Sequence, residues 1–406
     1  MVHHILLPLL AAVGANAQRQ HAFSIGTGPL APYVGTGLVS NDPGHPQDVS
    51  YTFCPDRPRS GCEVKIDVPD SCEPPAAGTP SLCPVVFYLN GAGGSNRWTS
   101  RVRPRPDDGL HVQGLIGVYP LGDSGWNTGP RPTNRCAFTD YDCTSDPDEP
   151  GFVADIISYL REQGAGGNVY VVGGSNGGAL AHRLAANAGP ELPIKGIVAK
   201  VSQLLATPYM SGPGQLNHNR PGNGIGPFSN GDLPVVTGRD SEKVSVLSVT
   251  GTHDKLIPYD GGKSSAFGYD DKFELMSALQ SMETWALHNG CARATDPIES
   301  SHIWSDAHGN AGIAKKYSYA GCEEGVIVEY YSVEEGGHGA GDVSIDGVSV
   351  DYALVHDFIT RVESQGMGDP TVTPTTPTAA LTLTAPTLAT TAPATAARSR
   401  TGGLRS

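Results

Sequence analysis

Val169-Tyr170-Val171-Val172-Gly173-Gly174-Ser175-Asn176-Gly177 runs directly into Gly178-Ala179-Leu180-Ala181-His182-Arg183-Leu184-Ala185-Ala186. The first four residues are β-branched or aromatic and read as a buried strand, and the last nine carry a helical pattern. Between them stands G-x-S-x-G. In a strand-turn-helix setting this motif describes a sharp turn that presents the serine hydroxyl at the carboxyl edge of a parallel sheet. The glycines matter because the backbone turns through an unfavourable region, where a side chain would collide with the neighbouring strand or helix. Ser175 is therefore the candidate nucleophile.

A nucleophilic serine needs a base to take its proton, an acid to orient that base, and donors where the oxyanion develops. The acid is sought just past a later strand, and Val244-Ser245-Val246-Leu247-Ser248-Val249 is followed by Thr250-Gly251-Thr252-His253-Asp254. Asp254 is the candidate. Asp240 precedes that strand and Asp260 lies beyond Pro258, so both are less well placed. The base should come last, and the run Val326 to Val333 ends in Glu334-Glu335-Gly336-Gly337-His338-Gly339. Of the 13 His, only His338 combines a strand end with glycine freedom; His302, His308 and His356 are the alternatives. The chain order Ser, Asp, His is the one expected of this turn type.

Upstream, Val85 to Leu89 leads into Asn90-Gly91-Ala92-Gly93-Gly94-Ser95, where small residues let backbone N–H groups approach a reacting carbonyl. Ala92 and Asn176, the residue after the nucleophile, are the expected oxyanion donors through their N–H groups. The loop has neither the Lys-[ST] ending of a phosphate-binding loop nor a full G-x-G-x-x-G, so a nucleotide reading is disfavoured. No C-x-x-C spacing suggests zinc, and this chemistry calls for no metal and no organic cofactor.

The chain of 406 residues carries a formal charge of -14 and a pI near 5.3. That balance argues against nucleic acid as partner, since such binding draws its affinity from Lys and Arg at phosphates. Ile5 to Val13 is a short apolar run followed by Ala15-Asn16-Ala17, the pattern of a secretory signal cleaved before Gln18. No later run reaches the roughly 20 apolar residues of a membrane-spanning helix. We therefore expect a secreted, extracellular protein without a membrane partner. All eight Cys follow the signal, and disulfides are the default in an oxidising compartment. We expect Cys136 with Cys143 and Cys291 with Cys322, leaving Cys54, Cys62, Cys72 and Cys83 to pair in one of three ways.

Apolar β-rich runs alternate with amphipathic helical patterns, the signature of a mostly parallel sheet with helices on both faces. Strands are expected at Val85 to Leu89, Gly114 to Tyr119, Val169 to Val172, Ile194 to Val198, Val244 to Val249 and Val326 to Ser332. Helices are expected at Gly151 to Glu162, Gly178 to Ala188, Phe273 to Leu287 and Tyr352 to Val362. In the first, Phe152, Ile156, Tyr159 and Leu160 form one core-facing stripe. The domain plan is a signal peptide (1–17), a Cys-containing N-terminal segment packed on the catalytic domain (18–84), the catalytic domain (85–365) and a Thr, Pro and Ala-rich tail (366–406). That tail reads as an O-glycosylated stalk or an unglycosylated linker. Residues 207–240, dense in Gly, Pro and Asn, read as a long loop of the kind that often serves function.

Four ordered blocks carry a resemblance: Val118-Tyr119-Pro120 with Gly125-Trp126-Asn127; Ser175-Asn176-Gly177-Gly178 with Ala181-His182-Arg183-Leu184-Ala185; Gly251-Thr252-His253-Asp254-Lys255-Leu256-Ile257-Pro258-Tyr259-Asp260-Gly261-Gly262; and Gly336-Gly337-His338. Over roughly Val85 to Val362 the chain resembles the secreted polyhydroxybutyrate depolymerase-like and feruloyl or acetylxylan esterases of the α/β-hydrolases. The resemblance implies an α/β-hydrolase fold and a carboxylic ester hydrolase. Its implied triad is Ser175 as nucleophile, Asp254 as acid and His338 as base. It also supports pairing Cys291 with Cys322. The implied partner is an ester, possibly polymeric: a polyhydroxyalkanoate, or a feruloyl or acetyl ester of a polysaccharide. The chain departs from the family at Asn90, where a His is usual, and at Gly339-Ala340-Gly341-Asp342, where an aromatic and Pro usually follow the base. Trp126 and Trp98 are candidates to stack on a sugar or aromatic ring of the substrate. The alternative is a catalytically inactive extracellular binding protein on the same scaffold.

Overall fold

A computed structural model of the chain describes residues 24–25, 50–52, 63–72, 79–94, 114–120, 126, 149–204, 242–265, 274–323 and 325–366. All of these belong to one compact unit, Met1–Met367. The leading strands are β1 (Ser24–Ile25), β2 (Ser50–Thr52), β3 (Glu63–Asp67), β4 (Val85–Leu89) and β5 (Ile116–Pro120). Next come α1 (Glu149–Glu162), β6 (Val169–Gly174), α2 (Asn176–Ala186), β7 (Ile194–Lys200) and β8 (Ser245–Gly251). The remainder comprises β9 (Gly262–Lys263), β10 (Glu274–Leu275), α3 (Ala278–His288), β11 (Ile298–Ser305), β12 (Ala311–Tyr319), β13 (Val328–Val333), β14 (Ser344–Ile345), β15 (Val348–Ser349) and α4 (Val355–Gly366).

One sheet has the order β1-β2-β3-β5-β4-β6-β7-β8-β13-β12-β11-β14-β15. Its six central strands, β5 to β13 in that order, pair in parallel. Antiparallel strands flank them on both sides. From β4 the chain moves outward to β5, then returns past β4 to build β6 and its successors on the other side. The connections leaving β4 and β6 therefore run to opposite sides of the sheet, the switch point outside whose carboxyl ends open α/β sheets place their ligands.

The central strands read as unbroken apolar runs because both faces are buried. On β4, Val85, Phe87 and Leu89 enter a core shared with α1, α2 and α3, while Val86 and Tyr88 enter a second core shared with α4. Phe152, Ile156 and Leu160 of the α1 stripe are buried and Tyr159 packs at its margin. Each fully buried side chain of this size contributes about 1.5–3 kcal/mol. A mostly parallel sheet with helices on both faces is the layered α/β architecture expected from the sequence.

Several elements differ from the sequence reading. The helix expected from Phe273 starts later: Glu274 and Leu275 pair with β9, and Ser277 caps α3. Ser277 Oγ accepts from Gln280 N at 3.1 Å, and Gln280 Oε1 accepts from Ser277 N at 3.2 Å, satisfying two orphan donors reciprocally. The C-terminal helix is preceded by a wider π turn over Val350–Leu354. The β11–β12 hairpin was not anticipated, because Ile298-Glu299-Ser300-Ser301-His302 is too polar to signal a strand. Its turn is built by Asp306, whose Oδ1 accepts from His308 N and Asn310 N at 2.9 and 2.8 Å.

Disulfides join Cys72 to Cys83 and Cys291 to Cys322. The second ties the end of α3 to the segment before β13. Cys54, Cys62, Cys136, Cys143, Trp98, the 1–17 segment, the 207–240 loop and the tail beyond residue 366 lie outside the described residues.

Candidate active site

β6 ends at Gly174, and Ser175 then takes φ 54° and ψ -120° as the cap residue of α2. Positive φ in a non-glycine residue costs about 1–3 kcal/mol and persists only where the surroundings impose it. Here Ser175 N donates to Lys200 O at 2.8 Å, and Ala179 N donates to Ser175 O at 2.9 Å. The glycines have a steric cause. A Cβ on Gly177 would lie 2.4 Å from Leu89 O, and one on Gly173 would lie 2.2 Å from Gly177 O. The start of α2 packs so closely on the ends of β4 and β6 that neither position has room for a side chain.

β8 ends at Gly251, and Asp254 follows in the next turn, 5 % exposed. Its Oδ1 accepts from Leu256 N at 2.8 Å and Ile257 N at 2.9 Å, and its Oδ2 lies 2.7 Å from His338 Nδ1. A carboxylate only accepts, so Nδ1–H donates to it, and in the neutral imidazole the lone pair is left on Nε2. The His338 loop is anchored backbone to backbone. His253 N donates to Gly336 O at 2.8 Å, Gly336 N donates to Val333 O at 3.1 Å, and Glu335 takes φ 60°. His338 then opens a short 3-10 turn to Asp342, with its side chain 32 % exposed.

Ser175, Asp254 and His338 follow β6, β8 and β13, so all three stand at the carboxyl edge of one parallel array. Among the described residues, no hydrogen bond joins the Ser175 hydroxyl to His338. The chain after β4 turns tightly, with Gly94 N donating to Gly91 O at 3.0 Å, and it passes the elbow closely: a Cβ on Gly91 would sit 3.6 Å from Ser175 Cβ. Ala92 is the next residue in that turn and is exposed.

Trp126 does not offer a stacking surface. It is 1 % exposed, and its indole Nε1 donates to Asn90 O at 2.9 Å. Its peptide N–H donates to Asn176 Oδ1, and its carbonyl accepts from Asn176 Nδ2 at 3.2 Å. The expected substrate contact at Trp126 is thus corrected, because both ring faces are buried in protein.

The alternative residues fall elsewhere. Asp260 is exposed, and Asp240 lies outside the described residues. His308 is exposed in the β11–β12 turn, and His356 is buried in α4 against Tyr352, with ring centroids 4.5 Å apart. His302 belongs to a second Ser-His-Asp row. Ser300 Oγ lies 2.9 Å from His302 Nε2, and His302 Nδ1 lies 2.7 Å from Asp346 Oδ2. Ser300 sits in mid-strand on β11, opposite Lys316 of β12, with an exposed side chain, and not at a strand-to-helix cap like Ser175. Asp346 Oδ1 also accepts from Ile303 N at 2.9 Å, which marks the row as a pin between β11 and the β14–β15 hairpin.

Sequence reading overlooked Lys200. It ends β7, is 2 % exposed, and its Nζ pairs with Asp351 and lies 3.8 Å from Asp342 Oδ1. Its carbonyl holds Ser175 N while its ammonium faces the far end of the His338 turn. A lysine ending an apolar strand is the only signal the sequence offers for it. His182, in α2, accepts from Trp285 Nε1 at 3.1 Å through Nδ1; burial pushes its pKa down to about 4, against the raising effect of the Ser202 backbone. Behind the His338 loop, a polar cleft of about 540 Å³ is lined by Trp304, Asp306, His308, Asn310, Glu335 and Asp342 and contains none of the three triad candidates. Among the described residues no three His, Cys, Asp or Glu converge as a metal set would.

No protein-family model matches the chain, and no curated protein is significantly similar to it. It is similar to the siderophore hydrolase EstB from Aspergillus nidulans, at 14% identity over 74% of this chain and 91% of that one, with a TM-score of 0.35. A ferulic acid esterase is matched at 15% identity over 47% of this chain and 74% of that one, with a TM-score of 0.30. The bifunctional GH43-CE protein of Bacteroides eggerthii is matched at 15% identity over 50% of this chain, with a TM-score of 0.29. The chain spans 30% of the length of that last protein.

Proposed function

We propose that this chain is a secreted serine esterase that hydrolyses carboxylic esters. The observation that carries the reading is the hydrogen-bonded Asp254–His338 pair on the same sheet edge as the strained Ser175 elbow. Ser175 Oγ attacks the ester carbonyl while His338 Nε2 takes its proton, and Asp254 stabilises the imidazolium. The tetrahedral oxyanion is bound by the N–H groups of Ala92 and Asn176, each such donor being worth roughly 10²–10³ in rate. Collapse expels the alcohol, which leaves with the proton from His338. Water then attacks the acyl-serine and gives a proton to His338; the second tetrahedral intermediate collapses with cleavage of the acyl–Oγ bond, Ser175 Oγ takes that proton back from His338, and the carboxylic acid departs. No metal or organic cofactor has a part in these steps. Following the motif resemblance, the substrate is a polyhydroxyalkanoate or a feruloyl or acetyl ester of a polysaccharide.

A second reading, a catalytically inactive extracellular binding protein, is favoured by one observation: the Ser175 hydroxyl makes no hydrogen bond to His338. Such contacts often tighten only when substrate is bound. The test is fluorophosphonate labelling of the folded protein beside hydrolysis of short-chain nitrophenyl esters, methyl ferulate, acetylated xylan and hydroxybutyrate oligomers. The esterase reading expects label on Ser175, turnover of at least one ester class, and loss of both in Ser175→Ala with unchanged melting temperature. Folded wild-type protein that takes no label and turns over no ester supports the binding protein.

A further inference from the structure

We infer that Trp126 is a positioning residue that clamps together the two loops supplying the oxyanion donors, an inference that rests on the esterase reading. The donors come from separate places: Ala92 from the turn after β4, Asn176 from the first residue of α2. Their spacing decides whether both N–H groups reach one oxygen, and a misplacement of about 1 Å can cost 10²-fold in rate. Trp126 touches both loops. Its indole Nε1–H reaches the carbonyl of Asn90, at the foot of the first loop, at 2.9 Å. Its peptide group meets the side-chain amide of Asn176 on both sides, donating to Oδ1 and accepting from Nδ2.

Asn90, Asn176 and Trp126 are 1 %, 6 % and 1 % exposed. In so dry a setting water cannot replace a missing partner, so the geometry of the clamp is strictly enforced. A residue there only to fill the core would not need the indole bond; a Phe or Leu would keep the peptide contacts to Asn176 but leave the Asn90 carbonyl without this donor. The Asn90 carbonyl oxygen is also one of the three atoms a Cβ on Gly177 would strike, at 2.6 Å. The indole therefore holds the group against which the start of α2 is seated.

Two variants test the two arms of the clamp. Trp126→Phe keeps most of the ring and the peptide contacts but loses the Nε1 donor; Asn176→Ala keeps its backbone N–H but loses the side-chain clasp. For each, kcat on a nitrophenyl ester should fall about 10–100-fold with KM within about twofold, and affinity for a trifluoromethyl ketone should weaken by the same factor as kcat. The double variant should lose less than the product of the single losses, since both act on one spacing. Unchanged kcat in Trp126→Phe, or a rise in KM with kcat preserved, overturns the clamp. Should Trp126→Phe not fold, Asn176→Ala and exchange of the wild-type indole proton decide. A proton that exchanges as fast as an exposed tryptophan's overturns the clamp whatever the activity, and a protected one with the Asn176→Ala loss supports it. Wild-type protein inactive on every ester overturns the esterase reading, and the positioning role with it.

Discussion

Asp254 Oδ2 lies 2.7 Å from Nδ1 of His338 across 84 residues of chain, while its other oxygen is held by two backbone N–H groups. That second grip makes Asp254→Asn informative. The amide must turn its oxygen to the Leu256 and Ile257 donors, which points its NH₂ at Nδ1 and forces the imidazole proton onto Nε2. A base in that tautomer cannot take the serine proton. We expect kcat for a nitrophenyl ester to fall about 10⁴-fold with the melting temperature nearly unchanged, a smaller loss than in Ser175→Ala.

The elbow predicts opposite fates for two neighbouring glycines. Gly177→Ala drives a methyl into the Leu89 and Asn90 carbonyls, backbone atoms that cannot swing aside, and should destabilise by about 1–3 kcal/mol or more. At Gly174 the nearest atom to an added Cβ is Lys200 Cε at 3.8 Å, an ordinary contact. Gly174→Ala should leave stability within about 0.5 kcal/mol. Urea midpoints of the two variants check the contrast.

Ser300, His302 and Asp346 reproduce the atom order of a triad on an open strand. His302→Ala should leave ester hydrolysis and Ser175 labelling at wild-type levels and cost less than about 1 kcal/mol, because the pair is half-exposed and screened. Label recovered on a Ser300 peptide from folded protein would move the nucleophile there.

His182 couples acid stability to the helix behind the elbow. Folded, its imidazole stays neutral down to about pH 4; unfolded, it takes a proton near its ordinary value of 6.5. Between these values the unfolded chain binds more protons, so stability declines as pH falls from 6.5 to 4, by about 3 kcal/mol in all. His182→Asn, which keeps an acceptor for Trp285 Nε1, should be less stable at neutral pH. Its decline should be shallower over that window, read as melting temperature against pH.

Much of the parallel core was legible because strands buried on both faces are written as plain apolar runs, as in Val85 to Leu89. The β11–β12 hairpin was not, since its exposed strands carry Glu, Ser, Lys and His, and pairing with β13 rather than local pattern makes them strands. Strand-end position led to Asp254 and His338, because loops after parallel strands all open on one edge. Trp126 misled for the same reason that Lys200 escaped notice. An aromatic or a lysine in a short motif says nothing of whether it faces solvent or another backbone.

What the sequence determined by itself was local: a glycine-flanked serine between a strand and a helix, and an Asp and a His each placed just past the end of a later strand. Periodicity and turn chemistry act over a few residues, so they survive being read in one dimension. Which groups meet was decided by the tertiary structure. The seating of α2 on the end of β4, the bond between residues 254 and 338, and the Trp126 contacts to Asn90 and Asn176 each join segments whose encounter depends on strand order, and strand order follows from how both faces of the sheet are covered.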